Sequence, residues 1–98
     1  MAQKQFAVIY CWSVDAEHED YFRKRWKRGT ERLKTLGSLG SCLTRAANGD
    51  FIAFARWPSE EAREQAFEAL APVEPWPGIL RFEETKLWVE NDLLTEQA

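Results

Sequence analysis

Phe6-Ala7-Val8-Ile9-Tyr10-Cys11-Trp12-Ser13-Val14 decides how the rest of the chain must be arranged. Its β-branched and aromatic content predicts a strand. Alternate residues of a strand face opposite sides. One side then carries Phe6, Val8, Tyr10, Trp12 and Val14, and the other Ala7, Ile9, Cys11 and Ser13. Both sides are largely apolar, whereas a strand with one face in water alternates apolar with polar. This strand needs cover on both faces.

Asp15 follows as a helix N-cap, with Glu17, Glu19 and Asp20 where the helix dipole favours negative charge. Phe22, Trp26, Gly29, Leu33 and Leu36 form one stripe of a long helix, and Gly37 supplies its stop. Gly29 on that stripe points to close approach by the sheet or a ligand. Cys42 to Ala46 and Phe51 to Trp57 read as two strands around Asn48-Gly49, the pair preferred in a type I′ hairpin turn. Ser59 is the expected N-cap of a second helix with Ala62, Ala66, Phe67 and Leu70 on its apolar side, ended by Pro72. The stretch Pro72 to Gly78, with three prolines around Trp76, reads as an ordered loop. A last strand is expected over Thr85 to Leu93.

Strand–helix–strand–strand–helix–strand is the split βαβ pattern, an α+β ferredoxin-like βαββαβ sandwich with a four-stranded antiparallel sheet. Right-handed crossovers put both helices on one face. The third strand should lie between the first and second, which separates Cys11 from Cys42. The opposite face, carrying Ile9, Ile52, Phe54 and Arg56, is left bare. A bare apolar face is an association surface, so a homodimer joined through these four residues is expected. Arg45 and Arg56 would need acidic partners inside it, such as Glu90 or Asp92.

Ninety-eight residues make one domain, spanning 1–98. The net charge of −3 argues against bulk capture of nucleic acid. Residues 23 to 34 hold seven of the thirteen basic side chains, which at helical spacing fan over solvated sides of the first helix. No apolar run approaches the roughly 20 residues of a membrane span, and the N-terminus lacks a signal-peptide pattern. Two separated cysteines do not make a disulfide framework, so a reduced, cytoplasmic protein is expected. With one His, no metal-site spacing exists, and no phosphate loop or nucleophile elbow occurs. Five Trp, six Phe and two Tyr are more aromatic bulk than so small a core needs, which suggests a lined pocket.

The first strand, the helix ending at Leu36-Gly37, the Asn48-Gly49 hairpin and Phe51-Ile-Ala-Phe-Ala-Arg-Trp-Pro-Ser-Glu-Glu-Ala62 together resemble the antibiotic biosynthesis monooxygenase family of dimeric α+β barrels. The resemblance covers residues 6 to 93 and is sharpest at Trp57, followed by Ser59-Glu60-Glu61-Ala62. It implies either of two chemistries. The haem-degrading branch places an Asn in the first strand and a ligating His ten residues after the Trp. Here those positions hold Tyr10 and Phe67, and Phe67 cannot ligate iron. The monooxygenase branch uses no metal or organic cofactor, because the substrate's own enolate or phenolate reacts with oxygen.

The expected site therefore has no cofactor and takes a small hydrophobic or aromatic ligand between helices and sheet. Tyr10 and Trp57 are the candidate catalytic residues, with Trp12, Phe22, Trp26, Phe51 and Phe67 as pocket walls. Each also has a plainer role: Trp57 as a core cap, Tyr10 as a satisfied strand hydroxyl, Phe22 and Trp26 as core. His18 has the chemistry of a general base but sits at a solvated helix start. The competing expectations are a non-catalytic binding or accessory dimer of the same fold, and a barrel filled by its own aromatics.

Overall fold

The computed structural model describes residues 5–70 and 75–94. Strand β1 (Phe6–Val14) lies inside a four-stranded antiparallel sheet of order β2-β3-β1-β4, with β2 at Gly40–Arg45, β3 at Phe51–Trp57 and β4 at Ile79–Trp88. Helix α1 spans Glu19–Thr35 and α2 spans Glu60–Leu70, so the order is the one expected. Both helices cover the side of Phe6, Val8, Tyr10 and Trp12, which packs with Phe22 and Leu33 of α1 and Ala62 and Ala66 of α2. As expected, β3 separates β1 from β2, and the cysteines sit on strands that do not pair. No helix among the described residues is long and apolar enough to cross a membrane.

Local chemistry explains the boundaries. Asp15 caps a short 3-10 turn (Ala16–His18) by accepting from the Glu17 amide, and α1 continues from it. At its far end Gly37 takes φ +117° while the Ser38 amide donates to the Leu33 carbonyl, the bond that closes a left-handed helix stop. Ser59 caps α2, its hydroxyl accepting from the Ala62 amide at 3.1 Å. Pro72 lies outside the described residues.

Three expectations need correction. The last strand begins at Ile79 rather than Thr85 and ends at Trp88, paired from Val14↔Ile79 to Phe6↔Trp88. It is an edge strand, exposed along most of its length, so Arg81, Glu83 and Glu84 sit in it without an apolar requirement. The hairpin is not type I′, because only Gly49 has positive φ. Instead the Gly49 amide bonds the Ala46 carbonyl, and Asn48 accepts from the Asp50 amide. Arg45 does not face the bare side; it pairs with Glu19 of α1 at 2.8 Å and lies over the Phe51 ring.

On the uncovered side, Ile9, Ile52 and Phe54 are half-buried and form an apolar centre in which Ile9 is opposite Phe54 and Cys11 opposite Ile52. Ion pairs bracket that centre. Arg56 holds Asp92 at 2.7 Å and Gln5 beside it, and Arg81 holds buried Asp50 at 2.6 Å. Asp92 is thus the partner of Arg56 that the sequence suggested.

Candidate functional site

Between the helices and the sheet lies a cavity of about 440 Å³, within the range of small-molecule sites. The core explains its existence. Phe6, Val8, Trp57 and Ala66 form one buried cluster, while Trp12, Phe22, Phe51 and Ala53 form another, and Tyr10 borders both. Small residues on α1 and β3, Gly29 and Ala55, face the space between. The nearest heavy atom to a Cβ added at Gly29 would be Arg25 Nη1, 3.9 Å away, so the glycine opens the cavity rather than admitting a close backbone contact.

Of the residues chosen from sequence, Tyr10, Trp12, Trp26, Trp57 and Phe67 line this cavity. Phe22 and Phe51 do not. They are 1% and 3% exposed, packed on each other at 4.7 Å, and belong to the solid core beside it. The interface candidates Ile9, Ile52, Phe54 and Arg56 lie on the other side of the sheet.

One wall is aromatic. Trp12 stacks on Trp76 at 5.9 Å, and Phe82 of β4 stacks on Tyr10 at 6.2 Å. Phe82 is 48% exposed, so the cavity opens beside the edge strand. The Arg25 guanidinium lies 4.0 Å over the Trp76 ring while its Nε donates to the Pro75 carbonyl, tying α1 to the loop before β4. Sequence periodicity placed Arg25 among solvated charges; it is 7% exposed and lines the cavity. An aromatic face offsets the cost of burying a guanidinium, and helical periodicity of apolar residues cannot register that.

The polar centre is Tyr10 with Arg63 of α2. Arg63 Nε donates to the Tyr10 hydroxyl oxygen at 3.1 Å, and Arg63 Nη2 reaches the Glu84 carboxylate at 2.6 Å. The same guanidinium lies 5.0 Å from the Phe67 ring centroid, one helical turn along. Burial pushes the Tyr10 phenol above its ordinary value, with Arg63 opposing part of that shift. The hydroxyl is therefore neutral at physiological pH. Since Arg63 occupies an oxygen lone pair, the phenol's own hydrogen is left to donate.

Trp57 and Ser41 share a different property. Trp57 is 1% exposed, and its indole Nε1 has no hydrogen-bond partner; the Ser41 hydroxyl oxygen is likewise buried and unpartnered. Both residues line the cavity. Leaving a buried polar group unpaired costs about 1–3 kcal/mol, which a ligand acceptor would recover.

His18 does not line the cavity. It packs against Gly78, where an added Cβ would fall 2.5 Å from the His18 side chain, and its Nδ1 is 3.7 Å from the Asp15 carboxylate. Cys11 faces the bare side, and burial with the Asp50 carboxylate beside it pushes its thiol up. Among the described residues no cluster of His, Cys, Asp or Glu could hold a metal. Arg63, Glu84, Phe82, Trp76, Arg25 and Ser41 were not identified from sequence. The signal for Arg63 was its place four residues before Phe67 on α2. Phe82 and Glu84 were hidden by the misplaced start of β4.

No family model matches the sequence, and no curated protein does. Solved structures match closely in shape. SnoaB, a cofactor-independent oxygenase from Streptomyces nogalater, superposes with a TM-score of 0.72 at 14% identity, covering 93% of this chain and 98% of its own. The haem degrader MhuD from Mycobacterium tuberculosis gives 0.69 at 22% identity, over 90% and 98%. A dimeric ferredoxin-like protein from an uncultured marine organism gives 0.74 at 12% identity, over 97% and 96%. At such identities the likeness is one of fold: the chain has the α+β architecture shared by these oxygenases and haem degraders, as the resemblance in its sequence implied.

Proposed function

We propose that this protein is a monooxygenase that needs no cofactor and oxidises a small aromatic, enolisable substrate in the cavity beside Trp57. The observation that carries this reading is an apolar, aromatic-lined cavity whose wall holds a neutral phenol polarised by a half-buried arginine. An enolate held there needs donors aimed at its oxygen and little bulk water. Tyr10 donates through its free hydroxyl hydrogen, and Trp57 Nε1 is a second donor without a partner of its own. Glu84, the one carboxylate among the described lining residues, accepts the substrate proton and passes it to water at the open edge.

The chemistry balances without a further reductant. Loss of a proton from a ring methylene gives a carbanion, which forms a C–O bond with dioxygen. The resulting hydroperoxide loses water, so the methylene becomes a carbonyl and the second oxygen atom leaves as water. Phe67 on the cavity wall, where the haem branch has its iron ligand, argues against haem degradation.

The working unit is a homodimer joined through Ile9, Ile52, Phe54 and Arg56, in a reducing compartment such as the cytoplasm that keeps Cys11 and Cys42 as thiols. The fold shared with a dimeric ferredoxin-like protein supports the first part. A second reading has one observation in its favour. Because Glu84 is held by Arg63, the cavity could bind such a ligand without deprotonating it. Oxygen uptake by anthrone, with chelator present, separates the two. The monooxygenase predicts uptake well above the buffer rate with one oxygen molecule consumed per quinone formed. Binding with uptake at the buffer rate establishes the non-catalytic reading instead.

A further inference from the structure

Ser41 stands on β2 opposite Ala55, on the helix-covered side, and lines the cavity. Its hydroxyl oxygen is buried without a partner. The strand itself does not impose this, since Thr44 three residues on donates to the Ile52 carbonyl at 2.7 Å. Nor do the other serine hydroxyls nearby remain unused: Ser38, also on the wall, accepts from the Gly40 amide at 3.0 Å. Buried polar groups are almost always paired, so an orphan on a cavity wall points to a partner that arrives with a ligand. β2 and β1 are separated by β3, and Ser41 is level with Val8, two residues from Tyr10 along β1, which puts it about 12 Å from Tyr10 across the sheet. The cavity thus has polar points on two sides, with aromatic and apolar walls between.

We propose that Ser41 is a specificity-determining residue, its hydroxyl bonding an oxygen on the end of the ligand opposite the one that meets Tyr10. The preferred ligand is then a flat fused-ring aromatic carrying oxygen at both ends of its long axis, a diphenol or hydroxyketone rather than a mono-oxygenated ring. This rests on the cavity being a ligand site as proposed above, but it concerns binding alone.

The test is calorimetric binding of 2,6-dihydroxynaphthalene and 2-naphthol, without oxygen, to the wild-type protein, Ser41→Ala and Ser41→Thr. The wild type should prefer the diphenol by about tenfold, the worth of one hydrogen bond. Ser41→Ala should abolish that preference while changing 2-naphthol affinity less than about twofold, and Ser41→Thr should restore it. An equal preference in wild type and Ser41→Ala overturns the proposal. If neither compound binds the wild type, the ligand-site reading falls and this one with it. If both bind with the expected preference but anthrone is not oxidised, only the monooxygenase reading falls.

Discussion

The two faces of the sheet are built from the same strands, yet they solve opposite problems. On the covered face, β3 is large at its ends, with Phe51 and Trp57, and small between them, with Ala53 and Ala55, so two aromatic clusters enclose a cavity. On the uncovered face the middle is apolar, with Ile9, Ile52 and Phe54 side by side and charged pairs at either end. An apolar centre within a polar rim is the anatomy of a protein interface. A cavity with orphaned polar atoms is the anatomy of a ligand site. One period-two pattern therefore writes two surfaces, which we propose serve a small molecule and a second chain.

The sharpest way to break this comparison is to charge the uncovered centre. Phe54→Asp should halve the mass measured by sedimentation while leaving the helix and strand content seen by circular dichroism. Phe22→Ala should cost about 3–5 kcal/mol of stability in denaturant unfolding, as an aromatic deletion in a solid core does. Its mass at low denaturant should stay that of the dimer. If the two variants exchanged these effects, the assignment of faces would be reversed.

Smaller changes sharpen the ligand side. Trp57→Phe keeps an aromatic ring and removes a donor that has no partner in the free protein. Oxygen uptake should fall by about 100-fold, as loss of an oxyanion donor does. Stability should fall by only about 1–2 kcal/mol, from the gap the smaller ring leaves in the buried cluster rather than from a lost hydrogen bond. Tyr10→Phe should act in the same direction and also carry a pH signature. The folded phenol is raised above 10.0. Its contribution to stability is therefore complete below the unfolded value and is lost as pH rises through the folded one. The ultraviolet titration component that disappears in Tyr10→Phe should have its midpoint above 10.0. The smallest effect belongs to the rim: Asp92→Asn should leave the denaturation midpoint nearly unchanged, since solvent screens its pair with Arg56.

Much of this division was legible in the sequence because it depends on alternation. The double-sided apolar pattern of Phe6 to Val14 identified both faces, and Trp57, Tyr10, Trp12, Trp26 and Phe67 were placed at the cavity they line. What escaped was chemistry without period. Arg25 read as a surface charge, yet it is buried on the face of Trp76, and Arg63, which drew no reading, lies over Phe67 and bonds Tyr10. Edge strand β4 needs no apolar face, so its first half, with Phe82 and Glu84, carried no pattern to mark it as strand. Phe22 and Phe51 could not be told from pocket walls, because core and lining residues share one stripe.

The cavity beside Trp57 is best tested by a crystal structure grown with 1,8-dihydroxyanthraquinone, the stable oxidised form of an anthrone. The account predicts one molecule per chain between Trp26, Trp57 and Phe67, with an oxygen within hydrogen-bonding distance of Trp57 Nε1 or the Tyr10 hydroxyl. A cavity filled by the protein's own aromatics, or the quinone bound only on the Ile9–Phe54 face, would contradict it.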